Sequence, residues 1–99
     1  MELFNKDIEK LTKLCSKFRV LKLYVFGSAI SNKFRKDSDI DFLVTFDSVD
    51  INNYADNYFD FKFSLEDLFN RKIDLLEEKS IKNPFLKQSI DSSKELIYG

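Results

Sequence analysis

The chain has 99 residues, of which 43% are hydrophobic and 33% charged, and its formal net charge is −1. A chain of this length is too short for several domains, so we expect residues 1–99 to form a single domain around one core. The near balance of charge argues against a binding face for duplex nucleic acid, which is normally strongly basic.

Rare residue types restrict the chemistry further. The chain has no histidine and only one cysteine, Cys15, which excludes an intramolecular disulfide and a histidine base or metal ligand. Any metal site must use oxygen ligands, which favours Mg²⁺, Mn²⁺ or Ca²⁺ over zinc. The first ten residues carry acids and no uninterrupted apolar run, and no segment reaches transmembrane length, so we expect a cytoplasmic protein with no membrane association.

The first predicted element is a helix, because apolar residues recur at the spacing of one helical face. That stripe consists of Phe4, Ile8, Leu11, Cys15 and Phe18. Asn5 is the expected N-cap of this helix. Cys15 is expected to be a core residue, since buried thiols behave as small hydrophobic groups.

Two strands and a second helix follow. Residues 21–26 form an apolar and aromatic run that predicts a strand ending at Gly27, and residues 29–38 predict a polar, basic loop or short helix. A second strand is predicted over 39–46. Helical spacing returns over 50–69, with Asp50 as a possible cap, and Asn70 suits the left-handed geometry that often ends a helix. The apolar side of this helix is expected to comprise Ile51, Tyr54, Tyr58, Phe61, Leu65 and Leu68.

The last third of the chain predicts a strand, a helix and a possible edge strand. The strand covers 72–76, and Asn83 followed by Pro84 marks the start of a helix that runs to about Ser92. Residues 95–98 are the possible edge strand. The order αββαβα predicts an α/β fold with one small mixed sheet flanked by helices.

Two acids in the second strand are the first candidates for chemistry. Asp39 and Asp41 are two residues apart, so their side chains project from the same face of the strand. The apolar side chains that cover the other face are Ile40, Phe42, Val44 and Phe46. Adjacent carboxylates repel each other unless a proton or a cation lies between them, and a divalent metal meets that need. The alternative is a pair of solvated acids at the start of an edge strand.

A third acid, Asp74, interrupts the apolar third strand between Ile73 and Leu75. Because burying an unpaired carboxylate is costly, we expect a partner for it. If the third strand lies beside the second, Asp39, Asp41 and Asp74 form one cluster able to hold two metals roughly 3.5–4 Å apart, as in nucleotidyl transfer. The alternative is an acid at a strand edge that faces water.

Gly27 and Ser28 are the predicted nucleotide-binding residues. A glycine at the end of the first strand lets the backbone approach a phosphate, and Ser28 offers a hydroxyl and an N–H. Lys33, Arg35 and Lys36 could contact a triphosphate, although a charged loop is more often merely solvated. Alone, the Gly-Ser dipeptide is weak evidence.

Together these residues carry a family resemblance. Gly27-Ser28, ten intervening residues and then Asp39-Ile40-Asp41 resemble the signature of the DNA polymerase beta-like nucleotidyltransferases, and Asp74 matches their third acidic position. Size and element order are similar to those of the minimal nucleotidyltransferases. Ala29 and Asn32 depart from the pattern, since many relatives have a basic residue and a glycine there.

The resemblance implies a mechanism and a partner. Asp39 and Asp41 would coordinate Mg²⁺ (or Mn²⁺) bound to ATP, and Asp74 would complete the second metal site and accept the proton of the attacking hydroxyl. Proteins resembling this one act as antitoxins that adenylylate a tyrosine of a HEPN-domain toxin. We therefore expect an ATP-dependent protein adenylyltransferase of a toxin–antitoxin pair, with a possible hetero-oligomer.

One alternative function stays open. The chain could be a binding-only antitoxin that neutralises its toxin by covering it, with an idle nucleotide site. Ala29 favours this alternative, because it removes a possible phosphate or partner contact, and the three acids oppose it.

Overall fold

The structure is a computed structural model and describes residues 5–27 and 39–99. Its helices are α1 (Ile8–Lys17), α2 (Tyr54–Phe69) and α3 (Pro84–Ser93), and its strands are β1 (Val20–Phe26), β2 (Ile40–Phe46), β3 (Ile73–Glu77) and β4 (Glu95–Tyr98). Short 3₁₀ turns occupy Ile51–Asn53 and Glu78–Ser80. The predicted αββαβα order and the edge strand at 95–98 are confirmed.

The four strands form one mixed sheet in the order β3-β2-β1-β4. β1 pairs antiparallel with both β2 and β4, whereas β2 and β3 run parallel. A parallel pair needs a crossover connection, and α2 supplies it between β2 and β3. The sheet therefore places the starts of β2 and β3 side by side at one end.

The main core lies between one face of the sheet and helices α1 and α2. Its buried members include Leu11 and Cys15 from α1, Phe61 and Leu65 from α2, and alternate residues of the strands. In β2 these are Ile40, Phe42 and Val44. The alternation that predicted an apolar face for this strand is confirmed, and it directs Asp41 to the opposite face.

Helix α3 lies on that opposite face. Tyr24 alternates with core residues of β1, so its side chain points away from α1 and α2. Lys94 follows α3, and its Nζ lies 4.3 Å from the centre of the Tyr24 ring. Ile90 of α3 and Leu43 of β2 are buried but do not belong to the main core. The acid-bearing face is thus covered in its middle, near Leu43.

Side chains of α2 bond the outer edge of β3. The backbone N–H of Ile73 donates to Oε2 of Glu66 over 3.1 Å, and the hydroxyl of Tyr58 donates to the carbonyl of Leu75. One turn earlier, the hydroxyl of Tyr54 donates to the Glu77 carboxylate. These bonds satisfy polar groups that an edge strand would otherwise present to solvent.

Several helix boundaries differ from the prediction. α1 begins at Ile8 after Asp7 and not after Asn5, and Ile8 is 41% exposed, so it does not belong to the buried stripe. Ile51 is 87% exposed, because the 3₁₀ turn that contains it puts it out of phase with α2. Asp50 caps this turn by accepting from the N–H of Asn52.

Other termini agree with the prediction. Asn70 ends α2 with a φ of 52°, in the left-handed region, and the Asn83 side chain accepts from the N–H groups of Phe85 and Leu86 at the start of α3. Tyr54 and Tyr58 are partly buried against the core side of α2, whereas Phe59 is exposed. Phe4 lies outside the described residues.

No helix in the described part of the chain is both long enough and apolar enough to cross a bilayer.

Candidate active site

The parallel pairing of β2 and β3 brings two of the predicted acids together. Asp41 is the register partner of Asp74, just as Ile40 is of Ile73. Register partners in a sheet present their side chains on the same face, about 5 Å apart. The predicted acidic cluster required the third strand to lie beside the second, and the structure meets this requirement.

Asp41 is in an unfavourable place for a negative charge. Partial burial raises the pKa of its carboxyl group, and the negative charges of Asp74 and then Asp39 raise it further. A hydrogen bond to Asp74 acts in the same direction. Such a bond between two carboxyl groups needs a shared proton, and a bound cation would relieve the same repulsion.

Asp74 is more exposed than the sequence suggested. Its neighbours Ile73 and Leu75 are buried in the core, but Asp74 itself points to the other face of the sheet and is exposed. The expectation that it would be a costly buried acid is wrong, because β3 is an edge strand and only one of its faces is covered there. Its position beside Asp41 is nonetheless the predicted one.

Asp39 lies immediately before β2 and is exposed. It is close enough to raise the pKa of Asp41 by charge repulsion, which places all three acids in one region of the surface. Within residues 5–27 and 39–99, however, no three acidic or thiol side chains stand in an arrangement that could hold a metal ion. The structure thus brings Asp41 and Asp74 into contact and leaves Asp39 at the margin.

These residues suit a divalent cation in their chemistry. Carboxylate oxygens are the ligands that Mg²⁺ and Mn²⁺ prefer. Burial, and then the charges of Asp74 and Asp39, raise the pKa of Asp41, and a cation bound beside these carboxylates would offset their negative charge. The aspartates therefore suit a divalent metal by donor type and charge, whereas in the described residues their positions do not form a three-ligand site.

Gly27 ends β1 and contacts the same site. It has a φ of +73°, and a Cβ placed on it would lie 2.3 Å from Oδ2 of Asp41. The residue before it, Phe26, is the register partner of Asp41. Gly27 is the only internal glycine in the sequence. Its close approach to Asp41 depends on the register of β1 and β2, which the sequence pattern does not predict.

Part of the predicted nucleotide site cannot be placed. Ser28, the departures Ala29 and Asn32, and the basic residues Lys33, Arg35 and Lys36 lie outside the described residues. Of the predicted nucleotide-binding pair, only Gly27 is located, beside Asp41.

A second concave region lies at the far end of β2. It is a surface cavity of about 610 Å³ lined by residues that include Phe46, Ile51, Tyr54 and Lys79. Asp41 and Phe46 are five residues apart on β2, which is about 16 Å along a strand. This cavity is therefore separate from the acids.

Comparison with known proteins agrees with this geometry. Residues 9–99 match the protein family described as "Polymerase beta, Nucleotidyltransferase". Two proteins of Methanocaldococcus jannaschii that bear the name "Putative protein adenylyltransferase" are each 38% identical to the chain. The alignment with the first covers 87 residues, which are 86% of this chain and 82% of the relative. The alignment with the second covers 95 residues, which are 94% of this chain and 92% of the relative.

Solved structures share the fold. A structure named as a putative minimal nucleotidyltransferase superposes with a TM-score of 0.77 at 26% identity, over 95% of this chain and 92% of its own. A toxin–antitoxin complex with AMP-PNP contains a chain with a TM-score of 0.71 at 22% identity, over 94% and 73%. A complex of a tri-AMPylated Shewanella oneidensis HEPN toxin with its MNT antitoxin gives 0.60 at 21% identity, over 95% and 71%. At these identities the last two support the fold alone.

Proposed function

Since the chain belongs to the polymerase beta nucleotidyltransferase family and is thus a nucleotidyltransferase, we propose that it transfers AMP from ATP to a protein hydroxyl, namely a tyrosine of a HEPN-type toxin. The observation that carries the proposal is the pairing of Asp41 with Asp74 across two parallel strands. The names of the M. jannaschii relatives support a protein acceptor, and the toxin complexes of similar fold support a toxin as the partner.

The exposure of the site also suits a protein acceptor. Helices α1 and α2 cover one face of the sheet, so substrates must reach the acids from the other face. There Asp39 and Asp74 are exposed, and Asp41 is only partly buried. Within the described residues, the exposed carboxylates leave room for the side chain of a second protein.

Each acid has a proposed role. Asp39 and Asp41 would hold the metal that accompanies the ATP triphosphate, and Asp74 would contribute to a second metal. Bound Mg²⁺ would offset the negative charge that develops on the transferred phosphate and on pyrophosphate. The acceptor oxygen forms a bond to the α-phosphorus, the bond to the β-phosphate oxygen breaks, and pyrophosphate leaves.

Asp74 is the proposed base for the proton of the acceptor hydroxyl. Its carboxylate is exposed on the open face, within reach of an incoming side chain, and it lies next to Asp41. A base has to be within hydrogen-bond reach of the proton that it removes. Gly27 and Ser28 would hold the terminal phosphates through backbone N–H groups and the serine hydroxyl.

The test is the transfer of label from α-³²P-ATP, in the presence of Mg²⁺, to proteins in a lysate of the source cell. We expect one labelled band that is lost with the Asp39→Ala/Asp41→Ala variant. The matched control is Asp56→Ala/Asp60→Ala, which removes two acids from the exposed side of α2 and should leave the band unchanged.

A second assay separates catalysis from binding. If the double variant at Asp39 and Asp41 is folded and still neutralises the toxin in cells, the protein acts by covering its partner, and the proposed activity is wrong. If neutralisation and labelling are lost together while the control variant retains both, the transferase function stands.

A further inference from the structure

Gly27 lies closer to the carboxylate of Asp41 than a residue with a Cβ could. A Cβ on Gly27 would lie 2.3 Å from Oδ2 of Asp41 and 3.3 Å from its Cγ, but 3.6 Å from its Cβ. Real Cβ atoms essentially never come within 3.0 Å of a non-bonded heavy atom elsewhere in the chain, whereas 3.6 Å is ordinary van der Waals contact. The overlap is therefore with the carboxylate group alone.

We propose that Gly27 is a positioning residue for Asp41: the absence of a side chain at Gly27 leaves the space in which the Asp41 carboxylate lies beside Asp74. The role of Asp41 in transfer rests on the proposed function, but the packing of its carboxylate does not. This role differs from that of a glycine that only lets the backbone approach a phosphate.

Strand pairing prevents the two residues from moving apart. Phe26 is the register partner of Asp41, and the pairing of β1 and β2 continues through Val25 with Phe42 and Tyr24 with Leu43. A shift of one strand relative to the other would turn every side chain of that strand to the wrong face. With a Cβ at position 27, the carboxylate of Asp41 must therefore rotate away from its place.

Backbone geometry gives a second, separable reason for glycine. At φ +73° an L-residue pays a steric cost of roughly 1–2 kcal/mol, about tenfold in the folding equilibrium. That cost is the same whether or not Asp41 has a carboxylate. The cost of the collision exists only when Asp41 has its carboxylate. A double-mutant cycle therefore distinguishes the cost of the collision from the cost of the backbone geometry.

The experiment measures unfolding of four chains: wild type, Gly27→Ala, Asp41→Ala and the double variant. We expect Gly27→Ala to lower the folding equilibrium constant more in the wild-type background than in Asp41→Ala. The factor should be about two, the lower end of coupling between residues in contact, because the colliding oxygen lies at the end of a flexible side chain. A second cycle with Asp41→Asn, which keeps the shape of the carboxylate, should retain the coupling.

Asn70→Ala is the matched control, because Asn70 also has a positive φ, of 52°, but lies at the end of α2 and not at the end of β1 beside Asp41. Its effect should add to that of Asp41→Ala without coupling. If Gly27→Ala does not fold, Gly27→Asn replaces it, since asparagine tolerates positive φ but carries a Cβ. Equal effects of the substitution in both backgrounds would overturn the proposal.

Kinetics provide a readout that loss of stability alone would not change. Where transfer is measurable, Gly27→Ala should lower kcat at saturating Mg²⁺ and change the KM for ATP only a few-fold, as expected for a displaced catalytic group. A raised KM with unchanged kcat would show that Gly27 acts through the nucleotide alone and would contradict the proposal. If the wild type transfers nothing, the proposed function fails, and the stability cycle still decides whether Gly27 positions Asp41.

Discussion

Replacing Asp41 with asparagine should make the protein more stable and inactive. Asp41 is held next to Asp74 and near Asp39, and burial and these two charges raise the pKa of its carboxyl group. Asparagine has nearly the same shape and no charge, so the repulsion disappears while the packing against Gly27 is kept. A site that costs stability is typical of a functional constraint rather than of a structural one.

The gain in stability of Asp41→Asn comes from the loss of one negative charge beside Asp74 and Asp39. Because solvent screens the charges at this partly exposed position, the gain in the free energy of unfolding should be only about 0.5–1 kcal/mol. For a domain of this size, that is an increase in the melting temperature of about 2–8 °C.

The difference in stability between Asp41→Asn and the wild type should increase with pH. Because the pKa is raised in the folded state, the folded protein binds more protons than the unfolded chain between the ordinary pKa of an aspartate and the raised one. The stability of the wild type therefore falls as the pH rises through this window. The difference between Asp41→Asn and wild type should be small below the ordinary pKa and complete at neutral pH.

Thermal and urea unfolding at several pH values between 3 and 8, in a chelating buffer, measure this difference. Asp60→Asn is the matched control, since it removes one charge from the exposed side of α2 and should change stability by less than about 0.5 kcal/mol. If Asp41→Asn is less stable than the wild type at neutral pH, or if the difference does not change with pH, the electrostatic account of the site is wrong.

Further predictions concern the metal, the thiol and the edge of the sheet. Millimolar Mg²⁺ or Mn²⁺ should raise the melting temperature of the wild type but not that of Asp39→Ala/Asp41→Ala, since a ligand stabilises only the state that binds it; an equal increase in both proteins would mean that the cation binds elsewhere. Burial raises the pKa of the Cys15 thiol to about 12, so a thiol reagent at pH 8 should label the folded protein only as fast as it unfolds, and rapid labelling would show that Cys15 is accessible. Tyr58→Phe removes the bond to the Leu75 carbonyl and should lower the free energy of unfolding by about 1 kcal/mol in urea, whereas Tyr98→Phe should change it by less. No loss in Tyr58→Phe would indicate that water replaces this hydroxyl.

Local sequence patterns predicted the elements and the two faces of β2. Ile40, Phe42 and Val44 alternate with Asp41, and alternation of this kind survives folding because one face of the strand is buried. Asn83 with Pro84, and Asn70, predicted helix termini for reasons that lie within a few residues of each position. These predictions succeeded because the physical cause is local.

The errors came from features that depend on the tertiary structure. Ile51 was assigned to the apolar side of α2, but a 3₁₀ turn changes the phase of the helix before Tyr54. Asp74 was expected to be buried, although only one face of β3 is covered at its position. The contact between Gly27 and Asp41 depends on the register of β1 and β2, which no short sequence pattern specifies.

The bonds from α2 to β3 determine how another protein can approach Asp74. Glu66 accepts from the outward N–H of Ile73, and Tyr58 donates to the outward carbonyl of Leu75. A strand from another chain therefore cannot pair with these two groups without displacing the side chains of α2. In the proposed reaction, a substrate segment would instead come over the other face of the sheet and present a side chain to the acids. Helix α2 thereby protects this edge of the sheet against pairing with a strand of another molecule.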